Sequence, residues 1–227
     1  MNACRITLVT LGLAFATDLP AAVVLSSSTL NTSIPDGQSA GINSKLTLNA
    51  PGQKVENVRV FLEIQGTGIG GAWNGDYYAA LVHDNKRAVL LNRPGLSSLD
   101  PVGYADNGFN VTFDDAATLD VHRYRQSITP NTLQPVTGTW QPDARGDLPH
   151  IVTVDSIRSQ FLAIFDDTPA SGDWFLVVAD NEFGGTGRLV RWGLELTLVP
   201  EPVHGVLAIG GGLAAFAWFR RRAKTSR

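Results

Sequence analysis

Five aspartates lie in predicted turns or at the ends of predicted strands, where a short acidic side chain can cap the backbone or bind a cation. They are Asp36, Asp114, Asp115, Asp173 and Asp180. Calcium takes about six to eight oxygen ligands from carboxylates, carbonyls and water, so oxygen-rich turns suit it. We predict Asp114, Asp115 and Asp180 as calcium ligands. The alternative is that these acidic residues are solvated turn caps.

Histidine, serine and cysteine show no arrangement typical of nucleophilic catalysis. A catalytic serine needs an imidazole base that a carboxylate orients, and the sequence contains neither Gly-x-Ser-x-Gly nor the motifs that surround a subtilisin-like triad. His83, His122 and His150 lie far apart, without the paired spacing of a zinc site. The only cysteine is Cys4, near the N-terminus. We therefore expect that the protein is not an enzyme.

Two aspartate doublets, at 114–115 and 166–167, have the residue types of a glycosidase acid and base pair. Neighbouring residues on a strand point to opposite faces, so neither doublet forms such a pair by itself. A glycosidase would need two carboxylates from distant segments to meet in one cleft. This second enzymatic alternative can be decided only by the fold.

Residues 1–22 are typical of a signal peptide. Arg5 precedes an uninterrupted apolar run over residues 6–16, and small residues follow it. A helix of that run would be about 16 Å long, which is too short for a hydrocarbon core of about 30 Å. We predict export, with cleavage between Ala16 and Val23.

The C-terminal segment, 199–227, has three parts in a fixed order. Its apolar part, 203–219, is predicted to be a transmembrane helix, and the arginines that follow it should stay cytoplasmic. The polar residues on either side of that helix are Pro200, Glu201 and Pro202 before it and Arg220, Arg221 and Arg222 after it. This arrangement resembles the PEP-CTERM sorting signal of Gram-negative bacteria. The resemblance implies processing by an exosortase, and the alternative is a permanent single-pass anchor.

Between the two ends, residues 23–198 are predicted to form one all-β domain, a jelly-roll-like β-sandwich. Short segments alternate or run apolar between clusters of Gly, Pro, Asn and Asp. These segments are 22–25, 44–48, 58–65, 77–82, 88–92, 109–113, 151–154, 161–165, 174–179 and 189–198. A short helical turn is expected within 114–124. In the last strand, strict alternation places Val190 on the same face as Trp192 and Leu189 on the opposite face.

Several of these segments carry a second resemblance. Residues 172–180 (GDWFLVVAD) and 187–196 (GRLVRWGLEL) give the pattern G-x-W-x-L-x-V-x-D followed by G-x-L-x-x-W-x-L. This pattern is similar to the P domain, also called the P/Homo B domain, of kexin-like proprotein convertases and many bacterial secreted proteases. The resemblance implies a β jelly roll in which 58–64 and 76–81 form the first strand pair. Some relatives with this domain bind calcium.

The pattern also predicts how the tryptophans are used. The glycine-rich turn at 184–187 would let the strands of Trp174 and Trp192 pair, with both indoles in the core rather than stacked on carbohydrate. The sequence departs from the family pattern at 70–76 (GGAWNGD). We predict that this longer loop is a variable surface and that Trp73 is its ligand-contacting aromatic residue.

Charge and length exclude two further classes. The chain of 227 residues has a net charge of −3, and residues 23–198 hold 12 basic and 19 acidic side chains, which gives 12 − 19 = −7. Such a domain has no basic surface for nucleic acid. Its length leaves no room for a separate catalytic domain beside the sandwich.

The predicted function is that of an exported, non-catalytic structural or adhesive protein of the cell envelope or exopolysaccharide of a Gram-negative bacterium. A membrane-anchored precursor should precede the surface or matrix form. The expected partners are the export machinery, an exosortase, and exopolysaccharide or a surface protease, and the one cofactor that the sequence indicates is calcium. The alternative is an accessory P domain linked to serine-type endopeptidase activity in trans.

Overall fold

The computed structural model describes residues 21–26, 29–68 and 70–201, which contain ten strands and three short 3₁₀ helices. The strands are β1 Ala21–Ser26, β2 Thr32–Ser33, β3 Gln38–Leu48, β4 Gln53–Gly66, β5 Tyr77–His83, β6 Lys86–Asn92, β7 Gly108–Phe113, β8 Val136–Trp140, β9 Gly172–Asp180 and β10 Gly187–Pro200. The 3₁₀ helices are Asn74–Asp76, Val121–Gln126 and Leu162–Phe165. The predicted all-β fold is confirmed.

The strands of the described chain form two sheets that pack as a sandwich. The first sheet has the order β1-β10-β4-β7-β8, with β2 also paired to β10, and the second has the order β3-β9-β5-β6. All strand pairs are antiparallel except β7 with β8, which is parallel. The two-sheet architecture therefore agrees with the predicted β-sandwich.

Both predicted membrane-directed segments lie largely outside the described residues. This applies to the apolar run 6–16, the predicted helix 203–219, Pro202 and the arginines at 220–222. The described ranges contain no helix with the length and apolar character needed to cross a membrane. Strand β1 begins at Ala21, so its backbone pairs with the sheet two residues before the predicted domain start at 23.

The core lies between the sheets and is built from strand faces. The alternation in β4 is observed as predicted, because Val58, Val60, Leu62 and Ile64 are all buried. Trp192 of the first sheet reaches across the sandwich, and its indole N–H donates to Ser44 Oγ of β3 at 2.8 Å. The two sheets are thus joined by a partly buried polar contact as well as by apolar packing.

Trp174 organises the core of the second sheet. Its ring stacks on the His83 imidazole, with centroids 3.8 Å apart and an interplanar angle of 5°. Phe165 packs edge-on against the same indole at 5.2 Å, and the indole N–H donates to the Ala170 carbonyl at 3.2 Å. Both tryptophans are in the core, as predicted.

Two predicted strand pairings are wrong. Strands β9 and β10 belong to different sheets, because β9 pairs with β3 and β5 whereas β10 pairs with β1, β2 and β4. Likewise, β4 and β5 do not pair. The chain crosses from one sheet to the other between β4 and β5 and again between β9 and β10, so each of these glycine-rich connections is a crossover between sheets rather than a hairpin.

Three local predictions also differ from the structure. Residues 151–154 form a turn, since the N–H groups of Ile151 and Val152 both donate to the Leu148 carbonyl. Residues 162–165 are a 3₁₀ helix instead of a strand. Strand β8, rich in Gly and Thr, was not predicted. The expected helical turn lies at Val121–Gln126, later than most of the predicted 114–124 segment.

A bulge changes the face assignment in β10. The pairing with β4 shifts between Leu189 and Arg191, so Val190 is the extra residue. Leu189 and Trp192 are both buried as a result, whereas Val190 is only half-buried. The predicted alternation is correct from Trp192 to Leu196 and wrong before the bulge.

We expect Trp192→Ala to lower the free energy of unfolding by about 3–5 kcal/mol, because it opens a cavity between the sheets and removes the contact with Ser44. Urea denaturation followed by circular dichroism measures this loss. Trp73→Ala is the matched control, since the Trp73 side chain is 38% exposed. Equal losses in the two variants would show that Trp192 does not hold the sheets together.

Candidate functional site

The sandwich has two ends that differ in chemistry. At the first, here called the Asp76 end, β4 finishes at Gly66, β10 begins at Gly187, and Asp76 lies beside Asp180. At the other, here called the Pro200 end, β10 finishes at Pro200 beside Gln53 of β4. The perturbed carboxyl groups described next are all at the Asp76 end.

Asp76 and Asp180 form a buried pair of carboxyl groups. Asp76 is 2% exposed and Asp180 is fully buried, and Oδ2 of each has no hydrogen-bond partner among the described residues. Burial and the nearby Asp180 carboxylate raise the pKa of Asp76 to about 7. Burial and the Asp36 carboxylate raise the pKa of Asp180 to about 6. One proton is therefore readily held by this pair near neutral pH.

Arg93 connects the buried pair to the surface. It follows β6 with a φ of +52°, and its backbone N–H donates to the Tyr77 carbonyl at 2.8 Å. Its Nε donates to the Gly75 carbonyl at 3.0 Å, and its Nη1 donates to Glu182 Oε1 at 2.7 Å. The guanidinium is itself buried, and its charge opposes the rise in the pKa of Asp76.

A polar groove of about 510 Å³ opens at the surface beside Arg93. Its wall includes Tyr78 at the start of β5 and Arg87 in β6. The opposite side is formed by 146–150 and by residues just after β9. Asp76 and Asp180 do not line it, so a ligand in the groove would contact the Arg93–Glu182 ion pair and not the buried carboxyl groups.

The predicted calcium ligands are divided between the two ends of the sandwich. Asp114 and Asp115 follow the last residue of β7 at the Pro200 end, whereas Asp180 lies at the Asp76 end. Asp114 pairs with Arg59 Nε at 3.0 Å. The Asp115 carboxylate accepts the N–H groups of the first two residues of Leu162–Phe165, at 3.1 and 2.7 Å. These two aspartates thus cap turns and join elements.

Asp76 and Asp180 do not make up a calcium site by themselves. Their carboxylates would supply only part of the about six to eight oxygen ligands that calcium takes. The described ranges contain no group of three or more His, Cys, Asp or Glu residues placed to hold a metal ion. Calcium binding stays a prediction.

His122 is part of a buried ion network instead of a catalytic dyad. Its Nδ1 lies 2.8 Å from Asp143 Oδ2, as in a catalytic pair, but its Nε2 lies 3.1 Å from the Leu96 carbonyl. Asp143 Oδ1 also accepts from Arg145 at 3.1 Å, and Arg145 in turn pairs with Asp120 at 2.8 Å. Both ring nitrogens of His122 are thus occupied by structural contacts.

The other histidines lie apart. His83 is buried, with Nδ1 3.0 Å from the Asp173 carbonyl and Nε2 2.8 Å from the Pro169 carbonyl. His150 is exposed and lines the groove. The sequence pattern could not distinguish these three environments, because the partners are backbone carbonyls from distant segments.

Trp73 packs on the turn that precedes β10. Its ring lies on the backbone of Gly184 and Gly185, where an added Cβ at Gly184 would come within 2.2 Å of the ring. It does not line the groove of Tyr78 and Arg87. Ala72, Asn74 and Asp76 in the same loop are buried, whereas Trp73 is 38% exposed, and its role as a ligand contact stays a prediction.

Among the comparisons with known proteins, only those with solved structures found a similar protein. No family model matches the chain, and no curated protein matches it. The crystal structure of the Aeromonas sobria serine protease in complex with its chaperone is similar with a TM-score of 0.41 and 16% identity, over 82% of this chain and 28% of that chain. The crystal structure of the protease alone is similar with a TM-score of 0.40 and 16% identity, over 80% of this chain and 28% of that chain. The chain thus spans under a third of that protein, and no shared activity is established.

We expect the free energy of unfolding to fall as the pH rises from about 4 to about 7, since folding raises the pKa of Asp76 from 3.8 to about 7. The folded state binds this proton more tightly than the unfolded chain does. Asp180, Asp36 and Glu182 add to the effect and Arg93 opposes it. Asp76→Asn should remove on the order of 2–4 kcal/mol of this pH dependence in urea denaturation.

The matched control for this prediction is Asp84→Asn, in the exposed turn between β5 and β6. It should keep the pH dependence of the wild type. A pH dependence in Asp76→Asn equal to that of the wild type would contradict the assignment.

We expect Asp143→Ala to lower the free energy of unfolding by about 3–5 kcal/mol, because it leaves the buried Arg145 without one of its carboxylates. Chemical denaturation at neutral pH measures the loss. Asp155→Ala is the control, since its side chain is 89% exposed and lies 3.8 Å from Arg123. The control should change stability by less than about 0.5 kcal/mol. Similar values for both variants would argue against a stabilising ion network.

Proposed function

We propose that this chain is an exported, non-catalytic protein with a jelly-roll-like domain of the P-domain type. It acts as a structural or adhesive component of the cell envelope or exopolysaccharide. Export is attributed to the predicted signal peptide at 1–22, and sorting is attributed to the PEP-CTERM-like segment that begins at Pro200. An exosortase is the proposed processing enzyme.

The observation that carries the proposal is the side-by-side position of the two ends of the domain. Strand β1 is antiparallel to β10, with Ala21 opposite Leu198. The chain therefore enters and leaves the sandwich at the Pro200 end. With both membrane-directed segments at that end, the Asp76 end with its groove would face away from the membrane and towards surrounding material.

The sorting motif begins where the sheet ends. Pro200 is the last residue of β10, opposite Gln53, and Glu201 donates its N–H to the Gly52 carbonyl at 2.8 Å. Proline is tolerated here because no further ladder hydrogen bond is needed from it. The motif would thus be presented at a fixed place on the folded domain, immediately before the predicted membrane helix.

The contacts of the titratable groups support a non-catalytic role. The ring nitrogens of His83 and His122 are within hydrogen-bond distance of backbone carbonyls or Asp143. Asp76 and Asp180, the two carboxyl groups that converge as a glycosidase would require, are buried away from the groove. A general acid must reach the leaving-group oxygen of its substrate, and these two would not.

The main rival is an accessory role in serine-type proteolysis. It predicts that the purified protein cleaves peptides, or changes the rate at which a secreted protease of the same organism cleaves them. The proposed function predicts neither effect. Measured turnover of a peptide substrate by the protein alone would overturn the non-catalytic part of the proposal.

Replacing Pro200, Glu201 and Pro202 by alanine should abolish processing while leaving export intact. The tagged, full-length variant should accumulate in the membrane fraction of an exosortase-containing host, at the precursor mass, whereas the wild type appears at the surface or in the matrix. Cell fractionation with mass spectrometry measures both.

A double variant in the same terminal segment, Thr225→Ala with Ser226→Ala, is the control and should be processed normally. If the triple variant is processed and distributed like the wild type, the proposed sorting route is wrong.

A further inference from the structure

The groove beside Arg93 reaches from Tyr78 at the Asp76 end to the side chain of Arg87, whose backbone pairs with Val82 near the other end of β5. Its walls have mixed chemistry. Arg87 and His150 contribute nitrogen groups, and Asp147 contributes a carboxylate. These three side chains are exposed, and none has an ion-pair partner among the described residues. Arg87 Nε donates to Gln160 Oε1 at 3.2 Å in an exposed contact, which leaves its two terminal nitrogens for a ligand. Polar side chains of both charge signs are therefore available to a ligand at this surface.

The floor and the adjacent wall are held in place by buried contacts. Tyr78 is half-buried, with its backbone paired to both Asn92 and Ala179. The Asn92 amide donates to the Asp147 carbonyl at 2.8 Å, which fixes the 146–150 segment against the end of β6. A preorganised site of this kind loses little conformational entropy when a ligand binds.

The mixed charge decides the class of ligand. A guanidinium and a carboxylate that line the same groove can both pair with a hydroxyl group, which donates one hydrogen bond and accepts others. An anionic ligand would meet Asp147 and Glu182 in the groove and a domain that carries −7 over residues 23–198 (12 basic, 19 acidic). An apolar ligand would leave these charged groups desolvated. A ligand rich in neutral hydroxyl groups avoids both costs.

Size and shape point the same way. The volume of about 510 Å³ lies within the range of pockets that take small organic ligands, and the groove is open to solvent. The Tyr78 ring supplies an apolar face of the kind against which the C–H face of a sugar ring packs. The arrangement combines one aromatic surface with polar groups on either side.

We propose that this groove binds a short stretch of neutral glycan, about one or two sugar units long. Tyr78 packs against one ring, and Arg87 and Asp147 hydrogen-bond to its hydroxyl groups. The inference rests on the proposed adhesive function and names the site and ligand class for it. It moves the ligand contact from Trp73 to a different part of the same end.

The test is titration of the purified, processed protein with neutral hexaoses of β-1,4-glucan, mannan and galactan, followed by saturation-transfer NMR. We expect at least one of them to bind with a dissociation constant of about 0.1–1 mM. Arg87→Ala should weaken that binding about tenfold, and Tyr78→Phe should retain most of it because the ring remains. Asp147→Asn should weaken it by a smaller factor.

The controls are Lys86→Ala, next to Arg87 but not in the groove, and Phe183→Ala, an 82% exposed aromatic residue outside it. Both should bind like the wild type. A hexamer of galacturonate tests the anionic alternative, and tighter binding of this probe than of every neutral one would overturn the proposal.

The outcomes separate this inference from the proposed function. If a neutral hexaose binds but Arg87→Ala and Asp147→Asn leave its affinity unchanged, the groove is the wrong site while an adhesive role stands. If the protein reaches the cell surface and no hexaose binds, the ligand class is wrong. If it is also not retained by the polysaccharide of the producing cells, the adhesive function fails as well.

Discussion

The antiparallel pairing of β10 with β4 is the constraint on which the rest of the structure depends. It runs from Gly187 opposite Gly66 to Pro200 opposite Gln53, along the whole length of the sandwich. The free side of β10 takes up β1, which brings the two ends of the chain together at one end of the domain. The core side carries Trp192, which reaches Ser44 in the opposite sheet. Strand β10 therefore holds β1 beside the C-terminal end of the domain, contacts the opposite sheet through Trp192, and begins at the loops of the Asp76 end.

Burying two neighbouring carboxyl groups in the loops at the Asp76 end is electrostatically unfavourable, and the packing of the apolar core must offset this free energy. Asp76 and Asp180 are buried beside each other, and burial raises the pKa of both. Arg93 partly compensates them and at the same time anchors Glu182 at the surface. Arg93 and Glu182 also line the groove, so this ion pair is the link between the groove and the buried acidic pair. It also separates the two features, since the groove offers polar contacts to a ligand and the buried pair does not reach it.

Periodicity predicted the elements better than it predicted their partners. Alternation in β4 located the core face of Val58 to Ile64, since side chains on a strand must alternate whatever the strand pairs with. Pairing depends on crossovers between sheets, and the turn before β10 gives no local sign of one. The bulge at Val190 could not be predicted either, because an extra residue is revealed only by the register against β4.

At the site, Asp76 and Arg93 were missed since their burial comes from distant segments. The Asn-Gly-Asp run before β5 and the Arg-Pro-Gly turn after β6 were the local signals that could have drawn attention to them.

We propose that the groove lined by Tyr78, Arg87 and Asn181 is the surface on which the exported protein meets its ligand. Amide chemical-shift mapping of the ¹⁵N-labelled, processed protein against polysaccharide extracted from the producing cells tests this claim most directly. The account predicts that the shifted amides cluster at Tyr78, Arg87 and Asn181, around the groove. Shifts confined to the first sheet, at the Pro200 end of β10 or on the face around Phe61, would contradict it.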